Sequence, residues 1–255
     1  MPYFETSAGR LFAAQRGKQG PMLLYIHGAG GSHEHWGYQM QGLAAVARQY
    51  AVDLPGHGRS PGSGLADVAA YAALIPALLT SIGAEQVLLA GHSMGGTIAL
   101  QAALNYPAQV AGLILVGSSA RMPVAPTLLE GLADDPQPAI EFFTQNLYGP
   151  QAPPDMVAAT AEAYRQIDAA LLRNDLLACN AFDVRRHLGR IHCPVLVLCG
   201  EADRMTPLKF SVSLSESLPN ARLHSIPTAG HMLMLEAAAP VNAAMREFIS
   251  SVSLA

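Results

Sequence analysis

The chain has 255 residues, 51% of them hydrophobic and 13% charged, and a formal net charge of −4. That length and apolar content suit one large domain with a substantial core and exclude a disordered chain. With no basic excess and no acidic or polybasic tail, the charge pattern gives no case for nucleic acid as a partner.

The N-terminus, Met1-Pro2-Tyr3-Phe4-Glu5, has neither a basic n-region nor an apolar h-region, so a cytoplasmic location is expected. Leu11 to Ala14 is expected to add antiparallel edge strands. Met22–Ile26 is the first clear strand-like run, followed by the glycine-rich segment His27-Gly28-Ala29-Gly30-Gly31 and a helix predicted over Glu34 to Ala47. Gln49 to Asp53 is the next strand. A helix is predicted over Leu65 to Ile82; Pro76 interrupts its most apolar part, Val68 to Ile82, which is too short to span a bilayer.

Strands are then predicted over Gln86–Ala90, Gly112–Val116 and Val195–Cys199, with Arg222 to Ile226 as a late strand-like segment. Helices are predicted over Met94–Tyr106, Pro207–Ser217 and Leu235–Val252. Runs that are apolar without alternation read as strands covered on both faces, as in a parallel sheet. Strand–helix alternation implies right-handed crossovers and an α/β fold with a mostly parallel, doubly wound sheet. From 121 to 190 that rhythm stops. This stretch is rich in proline, has no strand-like run, and holds helical segments around Ala139–Leu147 and Asp155–Ala181. It reads as a helical lid inserted in a core formed by 1–120 and 191–255, over the strand ends where ligands bind.

Cys179, Cys193 and Cys199 are an odd count without paired spacing. Cys199 closes an apolar run, and a reducing compartment fits this usage.

The chemistry centres on Gly91-His92-Ser93-Met94-Gly95, set between a strand and a helix as a nucleophile elbow requires. A serine in a strained, very tight turn needs neighbours without a Cβ two residues to either side. A serine hydroxyl needs a base, and the base needs an acid to orient it. His231 falls in a loop after the late strand, and Asp203 follows the run Val195–Cys199. Glu201, in the same loop, is the alternative acid, whereas Glu236 is assigned to the final helix and its packing. Backbone N–H groups of Ala29, with Gly30 as runner-up, and of Met94 are the expected oxyanion donors.

His33-Glu34-His35 could be taken for a metal site, but a helix start capped by Ser32 is the reading preferred. His57 and His92 are read as structural. Trp36 either lines the pocket or packs the first helix. Arg121 either holds a substrate carboxylate or is a solvent-facing charge at the lid hinge. Met122, Leu128, Leu129, Phe142, Phe143, Leu147, Tyr148 and Met156 are the lid's candidates for the pocket wall, with Phe142 and Phe143 taken as substrate-binding.

His27-Gly28, Asp53-Leu54-Pro55-Gly56-His57-Gly58-Arg59-Ser60, the Gly91–Gly95 elbow, Gly200-Glu201-Ala202-Asp203 and Gly230-His231 follow one another in an order that resembles the α/β-hydrolase superfamily. The resemblance covers nearly the whole chain and is strongest to small lidded esterases and lactonases; Pro240 stands further from Glu236 than the family's E-x-P pattern. It implies acyl transfer from a small, mostly apolar ester through an acyl-enzyme intermediate, with Ser93 as nucleophile, His231 as base and Asp203 as acid. No cofactor, metal, nucleic acid or membrane partner is implied. A lactonase, thioesterase or C–C hydrolase would use the same residues. A ligand-binding receptor with slow turnover is the alternative of another class.

Overall fold

The computed structural model describes residues 3–6 and 9–252; Met1 and Pro2 of the N-terminal segment lie outside them. Tyr3–Thr6 (β1) and Gly9–Arg16 (β2) open the chain, followed by Met22–Ile26 (β3), Arg48–Val52 (β4) and Val87–His92 (β5). Val110–Val116 (β6), Val195–Gly200 (β7) and Ala221–Ile226 (β8) complete the set. Every residue of β3, β5 and β7 is buried, which is why their sequences are continuously apolar rather than alternating.

The eight strands form one sheet in the order β1-β2-β4-β3-β5-β6-β7-β8. β2 pairs antiparallel with both β1 and β4, and all pairings from β4 to β8 are parallel. The strand order reverses at β3, which lies between β4 and β5. A parallel α/β sheet opens a crevice at the carboxyl ends of its strands where the order reverses. The loops after β3, β5, β6, β7 and β8 therefore share one rim.

The helices are Gly37–Gly42 (α1), Val68–Ala72 (α2), Leu74–Ile82 (α3), Met94–Asn105 (α4), Pro126–Asp134 (α5) and Pro136–Gln145 (α6). Pro154–Arg165 (α7), Ala169–Ala181 (α8), Leu208–Ser217 (α9), Leu233–Glu236 (α10) and Ala238–Ser251 (α11) follow. α4 packs on β3, β5 and β6, while α1 packs against α11. No helix among the described residues is long and apolar enough to cross a membrane.

Several helices differ from the sequence expectation for local reasons. The helix expected over Glu34 to Ala47 begins as a 3₁₀ turn at His33–Trp36 and ends at Gly42, whose carbonyl accepts a hydrogen bond from Arg246 of α11 at 2.8 Å. Leu65–Ile82 is two helices, because Pro76 has no N–H to offer the carbonyl of Ala72. Asp155–Ala181 is also two. The second begins at Asp168, whose carboxylate caps the Ala170 N–H at 2.9 Å.

Helices α5–α8 all lie between β6 and β7. Their side chains Leu128, Leu132, Ile140, Phe143, Leu172 and Leu176 belong to the same buried cluster as the sheet. The only sheet-like contact of this insertion, among the described residues, is an isolated bridge between Arg121 and Asp183.

Candidate active site

Ser93 sits between β5 and α4 with φ 52° and ψ −116°, a left-handed backbone that a residue with a Cβ rarely adopts. Backbone bonds hold it there: its N–H donates to Val116 at 2.9 Å, and its carbonyl accepts from Gly96 at 2.9 Å. The Ser118 hydroxyl donates to that carbonyl at 2.8 Å. A Cβ on Gly91 would collide with the Gly95 carbonyl, and one on Gly95 with the Ile26 carbonyl. These are backbone atoms that cannot swing aside, so Gly95→Ala is expected to cost about 1–3 kcal/mol. A lowered urea midpoint would show that cost; an unchanged midpoint would mean that the elbow tolerates the methyl group.

His231 follows β8, and its Nδ1 lies 2.8 Å from Asp203 Oδ2. The other Asp203 oxygen accepts the N–H groups of Met205 and Thr206, each at 2.8 Å. The Thr206 hydroxyl donates to Oδ2 at 2.7 Å, a contact that nothing in the sequence reading anticipated. Burial pushes the Asp203 carboxyl up, but the charge and hydrogen bond of His231, helped by Thr206, outweigh it and hold the group below its ordinary value. Glu201 faces elsewhere and accepts the Ser225 hydroxyl at 2.8 Å. The carboxylate on the ring is thus Asp203, not Glu201. His92 is structural: its Nε2 bonds the His231 carbonyl at 3.0 Å, and burial with the nearby His231 pushes it well down, to the neutral form.

Ala29 and Gly30 follow β3, beside β5. The Gly30 N–H donates to Asp175 Oδ2 at 2.9 Å, so it is already occupied. Ala29 borders the same cavity as Ser93 and His231. Met94 is the first residue of α4, whose N–H has no partner within the helix; its side chain is fully buried.

Asp175 is fully buried and comes from α8 of the insertion. Besides Gly30 it accepts the Tyr71 hydroxyl at 2.9 Å and meets His57 Nε2 at 2.8 Å. His57 Nδ1 lies 3.0 Å from the Pro55 carbonyl. Both ring nitrogens therefore face acceptors, an arrangement that needs both protons on the ring. Burial alone would lower the His57 pKa, but Asp175, with help from Pro55 and Asp53, raises it above 6.5. The neighbouring His27 stays neutral, pushed well down by burial and by His57. A raised histidine pKa contributes stability that is complete below the unfolded value and is lost as the pH rises through the folded one. The urea midpoint should therefore fall on the alkaline side of pH 6.5, and Asp175→Asn should flatten that slope. Equal slopes in the two proteins would refute the assignment.

Ser93, His231 and Ala29 border a cavity of about 230 Å³. Of the expected wall residues, Met122, Leu128, Phe142 and Phe143 do line it, and so does Arg121; Leu129, Leu147, Tyr148 and Met156 do not. Leu176, Cys179, Met205 and Phe210 complete much of the apolar surface. Trp36 is fully buried away from this cavity, its ring 4.8 Å from that of Tyr25, which corrects the pocket reading. No hydrogen bond joins Ser93 Oγ to His231 among the described residues, although both face the cavity. Such bonds are commonly long until substrate is bound. Ser32 caps the 3₁₀ turn through the Glu34 N–H at 3.3 Å, and His33 is bonded to Asp53 at 2.9 Å.

Glu236 does more than pack. Its carboxylate accepts the Gly230 N–H at 3.0 Å and the Gly149 N–H at 2.8 Å, joining the loop of His231 to the insertion. A Cβ on either glycine would strike the other's backbone. Burial raises the Glu236 pKa in spite of these two bonds.

A family model described as the alpha/beta hydrolase family matches residues 23–244. The putative carbamate hydrolase RutD of Caulobacter sp. (strain K31) is 33% identical over 244 residues, covering 89% of this chain and 90% of that protein. The dihydrolipoyllysine-residue acetyltransferase component of the acetoin cleaving system of Pseudomonas putida is 33% identical over 91% of this chain, which spans only 64% of that longer protein. The solved structure of a thermophilic esterase superposes with a TM-score of 0.88 at 30% identity, covering 99% of this chain and 98% of that one.

Proposed function

This chain belongs to the α/β-hydrolase family, and on that premise we propose that it cleaves a small, mostly apolar carboxylic ester through an acyl-enzyme intermediate. One observation carries the reading: His231, oriented by Asp203 at 2.8 Å, borders the same cavity as Ser93 on its strained turn. Ser93 Oγ attacks the ester carbonyl carbon while His231 Nε2 takes its proton. The Nδ1–H bond to Asp203 leaves Nε2 as the basic nitrogen and stabilises the imidazolium that forms. The negative charge on the carbonyl oxygen falls to the N–H groups of Ala29 and Met94. His231 returns the proton to the departing alcohol as the carbonyl–oxygen bond breaks. A water deprotonated by the same nitrogen then releases the acid and restores Ser93.

The apolar wall of Leu128, Phe143, Leu176 and Phe210 supports an ester with a hydrocarbon body. The esterase with 30% identity supports the bond type. A carbamate is the second reading, favoured by the relative named for that activity at 33% identity. It needs the same addition to a carbonyl, here one that carries a nitrogen as well as an oxygen. Mixing the protein with excess p-nitrophenyl butyrate and quenching in acid tests the proposal. An acyl adduct on the Ser93 peptide is expected in the mass spectrum. Turnover without an adduct or a burst of nitrophenol would sink the covalent route.

A further inference from the structure

Two arginines border the cavity, and among the described residues neither guanidinium is in an ion pair, although Arg121 lies close enough to Asp183 to lower that carboxyl's pKa. Arg121 enters from the segment after β6 and Arg204 from the loop after β7; among the described residues they are the only arginine, lysine, aspartate or glutamate on its wall. Among the described residues neither guanidinium has an ion pair, a hydrogen bond or an aromatic ring over it. The acids that could neutralise them are engaged elsewhere. Asp183, the carboxylate that Arg121 influences, is held by Arg185 through two hydrogen bonds of 2.9 and 2.6 Å. Asp203 is filled by Met205, Thr206 and His231, and Glu201 faces Ser225. A chain with a net charge of −4 thus places two unpaired positive charges at the entrance of an apolar chamber.

We infer that Arg121 and Arg204 form an anion subsite, and that the substrate is an ester whose apolar body ends in a carboxylate. The inference rests on the hydrolase reading above and extends it to substrate class. The planar fork of arginine matches a carboxylate through paired N–H donors, which a lysine pair would not. The groups lie at the rim, so the carboxylate stays hydrated on one side while the reacting carbonyl sits at Ser93. This avoids the cost of burying an ion. The chamber of about 230 Å³ limits the body between the two ends to a short chain.

The experiment compares mono-p-nitrophenyl glutarate with its methyl ester, which has the same leaving group and no charge. Wild type is expected to favour the carboxylate by about tenfold in kcat/KM at low ionic strength. That ratio should shrink in 0.5 M salt, a concentration of the order that screens rim charges. Arg204→Gln and Arg121→Gln should each lower the ratio of carboxylate to methyl ester towards one, and Arg204→Lys should keep part of it. The exposed positions make misfolding easy to exclude by an unchanged melting curve. A ratio of one in wild type, or a ratio untouched by either glutamine, overturns the subsite. Labelling of Ser93 by a fluorophosphonate separates the two levels. Failure to label would overturn the hydrolase reading itself, whereas labelling with no carboxylate preference would overturn only the anion subsite.

Discussion

Ser93→Ala is expected to lower ester turnover by roughly a million-fold and to abolish labelling by a fluorophosphonate. The substitution removes one oxygen and keeps the Cβ. Two of the bonds that hold the turn, to Val116 and from Gly96, run between backbone atoms and survive it. The unfolding midpoint should therefore stay near the wild-type value while the chemistry is lost. His231→Ala should cost a similar factor, and the double variant little more, because groups that act as a unit are not additive. Asp203→Asn should reduce kcat by on the order of 10⁴-fold, since an amide there disturbs the tautomer of the ring. Retained labelling in Ser93→Ala would show that another residue is the nucleophile. Retained labelling in His231→Ala would identify a different base.

The second large effect concerns stability. Asp175→Ala is expected to lower the free energy of unfolding by about 3–5 kcal/mol, the range for removing one partner of a buried ion pair. Three groups lose their acceptor at once: His57, Tyr71 and the Gly30 N–H. Without the carboxylate, burial lowers the His57 pKa, so the ring sheds its proton and loses the charge-assisted bond. A urea titration followed by tryptophan fluorescence suits the measurement, because the single Trp36 is buried in the core. A loss below about 1 kcal/mol, the scale of an exposed ion pair, would contradict the buried network. Labelling should also slow, because Gly30 would no longer be anchored beside Ala29. Asp175→Asn should be milder, keeping one acceptor oxygen for Tyr71 or Gly30.

The fold was legible because its main strands are uniformly buried, and uniform burial writes an unbroken apolar run into the chain. The elbow was legible for a steric reason, as Gly91 and Gly95 press on backbone atoms and no other residue fits. Helix starts in the insertion were harder. Pro126, Pro136 and Pro154 each stand in the first turn of a helix, where a missing N–H is harmless, so they open helices in a stretch whose proline content argues against them. α5 went unread for that reason. Asp175 was invisible for a different one. In sequence it is a lone acid between Asn174 and Leu176 on a helix, and such residues usually face water. Its partners lie 104 to 145 positions away, beyond any local pattern. Trp36 shows the opposite limit: its closeness in sequence to the glycine-rich loop gave no measure of its distance from the cavity.

Asp175 also sets how the insertion can be exchanged between related proteins. The segment that shapes the chamber, α5 and α6 with Leu128, Phe142 and Phe143, makes its contribution through replaceable apolar side chains. α8 carries the acid that closes a circuit through the loops after β3 and β4. A chimera that imports 126–145 from a relative alters the shape of the chamber and leaves the loop of Gly30 moored to Asp175. One that imports 169–181 without an acid at position 175 exchanges Leu176 and Cys179 of the wall and frees the loop of Ala29 and Gly30 at the same time. α8 does both, since Leu176 and Cys179 line the chamber while Asp175 holds the two loops, so a crossover placed before α8 varies part of the wall without touching that network.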